Sequence, residues 1–423
     1  MPLRTVRLAV AAAAAAILSA ASVRADRPAF PDAVGFGVQT PGGRGGTVIR
    51  VTNLNAEGPG SLRAALAARG PRIVVFEVGG VIDLGRQSLR IAEPFVTVAG
   101  QTAPSPGITI IRGGIYIATH DVVVRHLRVR PGDAGRRKRS GWEPDGISTS
   151  GGDAHDIAID HCSVTWAVDE NISTSGPRTE GPDRTSRRVT ISRCIIAECL
   201  HNATHHKGPH SKGTLIHDFC RDIAIIGNLY AHNVQRNPYF KAHTTGAIVN
   251  NVIYNPGSAA IQLGFSAREW RGARYKPVPP RVSVVGNVYI QGADTRQGLP
   301  MVARPGAVFL ADNIALDSAG QPVKVVGKGV RVVEEKPVWP EGLEPLPAEK
   351  VLDHVARHVG ARPRDRDAAD RRIIRDLRRR KGRIIDSQDD VGGYPQVQPV
   401  RRKLDVPGEN VEEWLARMAA EVQ

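Results

Sequence analysis

The sequence predicts an all-β chain, a right-handed parallel β-helix with an N-terminal capping helix and a partly helical C-terminal extension. Three observations carry this. Short β-rich runs, Ile73–Phe76, Phe95–Val98, Ile108–Ile111 and Val122–Val124, follow one another between turns. Glycine (44) and proline (30) are plentiful and aromatic residues make up only 5%, which suits a turn-rich β architecture. A repeat is also present. IAIDHCSVTW (157–166), VTISRCIIAE (189–198), IAIIGNLYAH (223–232), AIVNNVIYN (247–255), VSVVGNVYI (282–290) and AVFLADNIAL (307–316) each pair a strand, a small or polar break and a second apolar segment. Cys162, Cys194, Asn228, Asn251, Asn287 and Asn313 occupy the matching place. In stacked coils such residues lie roughly 4.8 Å apart, and asparagines can hydrogen-bond along the stack.

In chain order, residues 1–25 read as a secretory signal. Arg4 and Arg7 precede an apolar stretch, Leu8–Ala20, and Val23-Arg24-Ala25 is a small-residue cleavage site. The apolar stretch is short for a bilayer span, and no other run reaches that length. An exported, secreted protein without a membrane span is expected, and as a monomer. Residues 26–330 then form the β-helix domain and 331–423 an extension of extended linker plus helices.

Gly42-Gly43-Arg44-Gly45-Gly46 reads as a turn, because neither a Lys-Ser/Thr pair nor a helix follows it. Ser61 caps a helix running to Ala68 and closed by Gly70, which covers the open end of the coil stack. After the prolines at 337, 340, 345 and 347, helices are expected over 348–358, 364–381 and 410–420. The middle one is rich in arginine. Its Ile373, Ile374 and Leu377 side is expected to pack on the β-helix, leaving a solvated basic face. Interleaved aromatics are absent there, so no nucleic acid is expected as a partner. The formal charge of +15 favours an acidic partner, although much of it lies in the last hundred residues. Four cysteines, at 162, 194, 199 and 220, are compatible with disulfides in three alternative connectivities.

Chemistry concentrates in three clusters. Asp145, with Glu143 nearby, and the pair Asp169-Glu170 lie on loops flanking the strand at 156–160. Hard oxygen ligands of this kind suit Ca²⁺, since clustered carboxylates otherwise repel. The segment 205–213, HHKGPHSKG, holds histidines without zinc spacing, so its polar residues, His210 among them, are expected in a substrate groove. Arg236 and Lys241, five residues apart on a turn, can clamp a carboxylate.

With these residues in view, the chain resembles the pectate lyases around polysaccharide lyase family 1. GGRGGTVIRVTNLN…GPGSLRAAL is similar to their N-terminal signature. WEPDGIS, IAIDHCSVTWAVDEN, HSKGTLI and RNPYFK follow in the family's order, over roughly residues 30 to 300. The resemblance implies Ca²⁺ held by Asp145, Asp169 and Glu170, substrate binding by Lys212, Lys241 and His210, and Arg236 as proton-abstracting base. Lys241 replaces the family's usual arginine, keeping the charge but losing the bidentate fork. The implied reaction is β-elimination of polygalacturonate, an acidic polysaccharide. The alternatives are an eliminase for another uronide and a non-catalytic β-helix that binds polysaccharide as an adhesion module.

Overall fold

The computed structural model describes residues 27–423, so the signal expected at 1–25 lies outside the described residues. Three parallel sheets wind up the molecule. The first has eleven strands, from Thr47–Val51 to Val330–Val332. The second has eight, from Leu89–Ile91 to Val302–Ala303. The third has ten, of which Val400–Arg401 alone runs antiparallel, against Val78 and Gly79. One coil shows the plan: His155–Asp160 in the first sheet, Ser163–Thr165 in the third, Glu170–Ser175 in the second. This is the parallel β-helix expected from the repeat.

Register explains the core. Ile159 stacks on Val124 below and Ile191 above, and Ile191 on Ile225. The alternation of two per residue sends Ile157 and Ile159 inward, where both are fully buried. Side chains from all three sheets meet there, Ile159 with Val164 and Ile172 for example. From the coil of Val122–Arg125 onward, the corner between first and third sheets is turned by a left-handed residue. His126, His161, Arg193, Gly227, Asn250, Gly286 and Asp312 supply it.

Immediately after that corner the ladder forms as expected. Asn228, Asn251 and Asn287 each donate Nδ2 to the Oδ1 of the next asparagine, at 3.0, 2.9 and 3.1 Å, ending on Asn313. Each Oδ1 also accepts a backbone N–H from the preceding coil, as Asn251 does from Asn228 at 2.9 Å. Cys162 and Cys194 extend the ladder as small buried thiols, the Cys162 N–H meeting Cys194 Sγ at 3.4 Å. All four cysteines are free, so none of the disulfide connectivities forms.

Helix α1 (Leu62–Ala67) closes the lower end. The Ser61 hydroxyl accepts from Ala64 N at 3.2 Å, and Leu62, Ala65 and Leu66 complete the core. Helices α2 (Ala348–His358) and α3 (Ala368–Arg379) lie on the outer face of the third sheet. Val351, Val355, Ile373, Ile374 and Leu377 pack there against Leu229, Val252 and Val288. Helix α3 starts later than the arginine pattern suggests because Asp367 caps it, accepting from Asp370 N at 3.0 Å. Helix α4 (Val411–Val422) sets Trp414, Leu415 and Met418 on Ile73, Val75 and Ala99 of the first sheet. The second sheet has neither cover, and its outer face is open.

Two arginines of the third sheet also reach α3. Arg130 bonds Asp367 at 2.5 Å and Asp370 at 2.8 Å, and Arg128 reaches Asp370 at 3.3 Å. Ser163 donates to the same Asp370 carboxylate at 2.7 Å. Arg128, Arg130 and Asp370 are at most 1% exposed.

Candidate active site

The open face of the second sheet carries a groove of about 510 Å³. Loops entering and leaving the strands form its walls. The register Ile147↔Ile172 sets Asp145, two residues before the first, level with Glu170, two before the second. Asp169 precedes Glu170, so three carboxylates from two adjacent coils converge, with one oxygen of each within 4.8 Å of the others.

Asp145 is held by two donors, Glu170 N–H at 3.0 Å and the Ser173 hydroxyl at 2.7 Å. Burial, followed by the charge of Asp169, pushes its carboxyl up to about 7. Asp169 differs. Burial opposes its ionisation, but His210 Nε2 lies 2.8 Å away and the balance holds the carboxyl below its usual range. His210 is stacked on His205, the ring centres 3.7 Å apart. The Lys207 N–H donates to His205 Nδ1 at 3.1 Å, so Nε2 carries the hydrogen and points at Glu143 and Asp169. Glu143 accepts the His206 N–H at 2.8 Å. It tethers the histidine loop and does not join the three acids.

Arg236 enters from the next coils. The isolated pairing Lys212↔Gln235 and the pairing Glu170↔Lys212 align Glu170, Lys212 and Gln235, and Arg236 follows at a left-handed φ of +64°. Its N–H donates to Gln262 Oε1 at 2.6 Å, which fixes the bend. Its guanidinium forms an ion pair with Glu170. Burial lowers the pKa of that guanidinium, and the charge of Asp169 works against the shift.

The Aspergillus oryzae protein named "Probable pectate lyase C" is 31% identical over 403 residues, covering 90% of this chain and 85% of its own. The chain belongs to the pectate lyase family. It is therefore a polysaccharide lyase. No family model matches it. Among solved structures, the major allergen from cedar pollen superposes with a TM-score of 0.56 at 16% identity, over 78% of this chain and 92% of its own. A pectate lyase bound to a hexasaccharide gives 0.52 at 14%, over 80% and 99%. These two show the shared β-helix fold.

In this pectate lyase the remaining expected residues are placed unevenly. Lys212 is only 5% exposed. Thr214, which accepts from buried Tyr230 at 2.9 Å, and Ile216 face inward, whereas Lys212 is in register with Glu170 and Gln235 of the groove, and its amine feels the charges of Asp169 and Arg304. Burial pushes its amine down to about 8. Lys241 does line the groove, but its Nζ lies 2.5 Å from Glu269 and 3.3 Å from Asp218. Arg178 joins Glu269 from the other side at 3.1 Å. Arg304 lines the groove too, and its guanidinium makes no ion pair among the described residues. Glu269, Arg178, Asp218 and Arg304 carry no motif in the sequence. Their proximity arises only once the coils stack.

Proposed function

We propose that this pectate lyase is a secreted, Ca²⁺-dependent enzyme that cleaves polygalacturonate by β-elimination, with Arg236 as the base. The observation that carries the reading is the convergence of Asp145, Asp169 and Glu170 on the guanidinium of Arg236 within one groove. The three acids fit a hard cation. Their donors are all oxygen, and burial together with the nearby charge of Asp169 raises the Asp145 carboxyl, a crowding that a cation relieves. Ca²⁺ held there supplies positive charge for a uronate carboxylate.

The chain's own groups do the rest. The C5 proton of a galacturonate is acidic because its loss spreads charge onto the neighbouring carboxylate. Unprotonated Arg236 takes that proton from the groove wall, the C5–H electron pair forms the C4=C5 double bond, the C4–O4 bond breaks, and the departing O4 takes up a proton from Arg236 or solvent, so the chain gains one unsaturated end and one free hydroxyl end. No water is consumed, so a second acid–base pair of the hydrolase kind is not required. His210 keeps Asp169 ionised and oriented, Lys212 stands in register with Glu170 as a substrate-binding amine, and Lys241 touches the polymer from the wall. Secretion rests on the pattern of residues 1–25. Among the described residues, no helix is long and apolar enough to cross a membrane.

The decisive assay is ultraviolet absorbance of unsaturated uronide from polygalacturonate at alkaline pH. A rise with Ca²⁺ that a chelator abolishes is expected; a rise that survives chelation would sink the metal reading.

Proton competition gives a second expectation. Asp145 keeps its proton up to about pH 7. Ca²⁺ must displace that proton below this pH, so affinity is expected to weaken by up to about tenfold per unit of acidification. Titration calorimetry at pH 6 and pH 8 reads this directly. Equal affinities at the two values would contradict it.

A further inference from the structure

We infer that the Lys241 end of the groove receives an uncharged sugar unit, a methyl-esterified galacturonate, and that Glu269 sets this preference. The inference rests on the eliminase reading above and names the substrate class of one subsite. Two cations stand there, Arg178 and Lys241, and two carboxylates already answer them. Glu269 lies between both, 3.1 Å from Arg178 Nη1 and 2.5 Å from Lys241 Nζ. Asp218 is fully buried, accepts the Ala242 N–H at 3.0 Å and sits 3.3 Å from the same Nζ. His217 Nδ1 accepts the Asp218 N–H at 2.9 Å and lies 3.0 Å from the same Oδ2 that faces Lys241. The cluster carries no spare positive charge.

A uronate carboxylate entering here has to push Glu269 off both partners and still face Asp218. Asp218 cannot yield, because it is held by the backbone in the protein interior. The Lys241 and Asp218 side chains are 6% and 0% exposed, so that pair acts through little water, while Glu269 and Arg178 meet solvent at the rim; moving Glu269 aside therefore disturbs a balance that water screens only in part. A methyl ester asks for no counter-charge and leaves both bridges in place. Arg304 also lines the groove and makes no ion pair among the described residues, which leaves its charge for a uronate unit. Charge along the groove thus suits a partly esterified polymer better than a fully charged one.

The test compares wild type with Glu269→Gln, which keeps the shape and removes the charge. Both are assayed for unsaturated product on polygalacturonate and on highly methyl-esterified pectin. The ratio of kcat/KM values, polygalacturonate over esterified pectin, is expected to rise by about tenfold in the variant, mainly through KM. A ratio that stays level or falls would overturn the inference. Binding of saturated trigalacturonate and of its methyl ester, measured by calorimetry, reads the same subsite without turnover. A shift of that binding ratio without product would uphold the inference and sink the eliminase reading. An unmoved binding ratio would overturn the inference whatever product forms.

Discussion

Arg236→Ala is expected to lower kcat by about 10²–10⁴ while leaving the protein folded. The side chain lies in the groove wall, and its removal leaves Glu170 without its ion-pair partner but opens no cavity in the core. An arginine is a weak base at neutral pH because its ordinary pKa exceeds about 12. Burial lowers that value here, and the charge of Asp169 opposes the change. A cation seated on the three acids would take up Asp169 and Glu170, removing what now holds the proton on Arg236. Activity should therefore rise with pH on the alkaline side, as the base loses its proton. Arg236→Lys separates a base from a mere anchor. Lysine titrates near 10.4, so a lysine base should move the rising limb of the pH profile downward. Alanine activity within threefold of wild type, or a lysine profile that does not move, would end the assignment.

The asparagine ladder and the acidic trio were legible in the sequence for a shared reason. Both rest on residues at a fixed place in a repeated coil, so a linear pattern carries them into space. Asn228, Asn251, Asn287 and Asn313 follow the strands at one register, and Asp145 and Glu170 precede theirs at one register. The fate of Lys212 and Lys241 was not legible. Lys212 is buried although it aligns with Glu170 and Gln235 of the groove, a depth that a linear pattern does not carry. Lys241 loses its free charge to Glu269, which sits in a short 3-10 helix (Ala267–Trp270) after Ile261–Leu263 and reaches it only through the stacking of coils. The cysteines show a similar limit. Spacing alone allowed disulfides for all four, while the repeat placed Cys162 and Cys194 on the ladder as stacked thiols, as the structure has them. The apolar side of the arginine-rich helix was readable from its period, with Ile373 and Leu377 buried as expected. Its buried acids were not.

Those acids make the second large prediction. Asp370→Ala is expected to destabilise the protein by about 3–5 kcal/mol, because it strips a carboxylate from two arginines that cannot reach water. Arg128 and Arg130 would then share Asp367 alone, and Ser163 would lose its acceptor. Urea denaturation measures the loss, and a change under about 1 kcal/mol would show that the network is dispensable. The chemistry of the groove should survive in the fraction that stays folded, since the network lies on the third sheet and the acids and Arg236 on the second. This separation also decides what the C-terminal extension does. Its helices cover Leu229, Val252 and Val288, and its aspartates neutralise arginines that the third sheet presents outward. Removing the chain beyond 340 would expose that apolar face together with two unpaired charges. The truncated protein should therefore aggregate before it can be assayed, and the basic face of α3 is the solvated side of a structural wall.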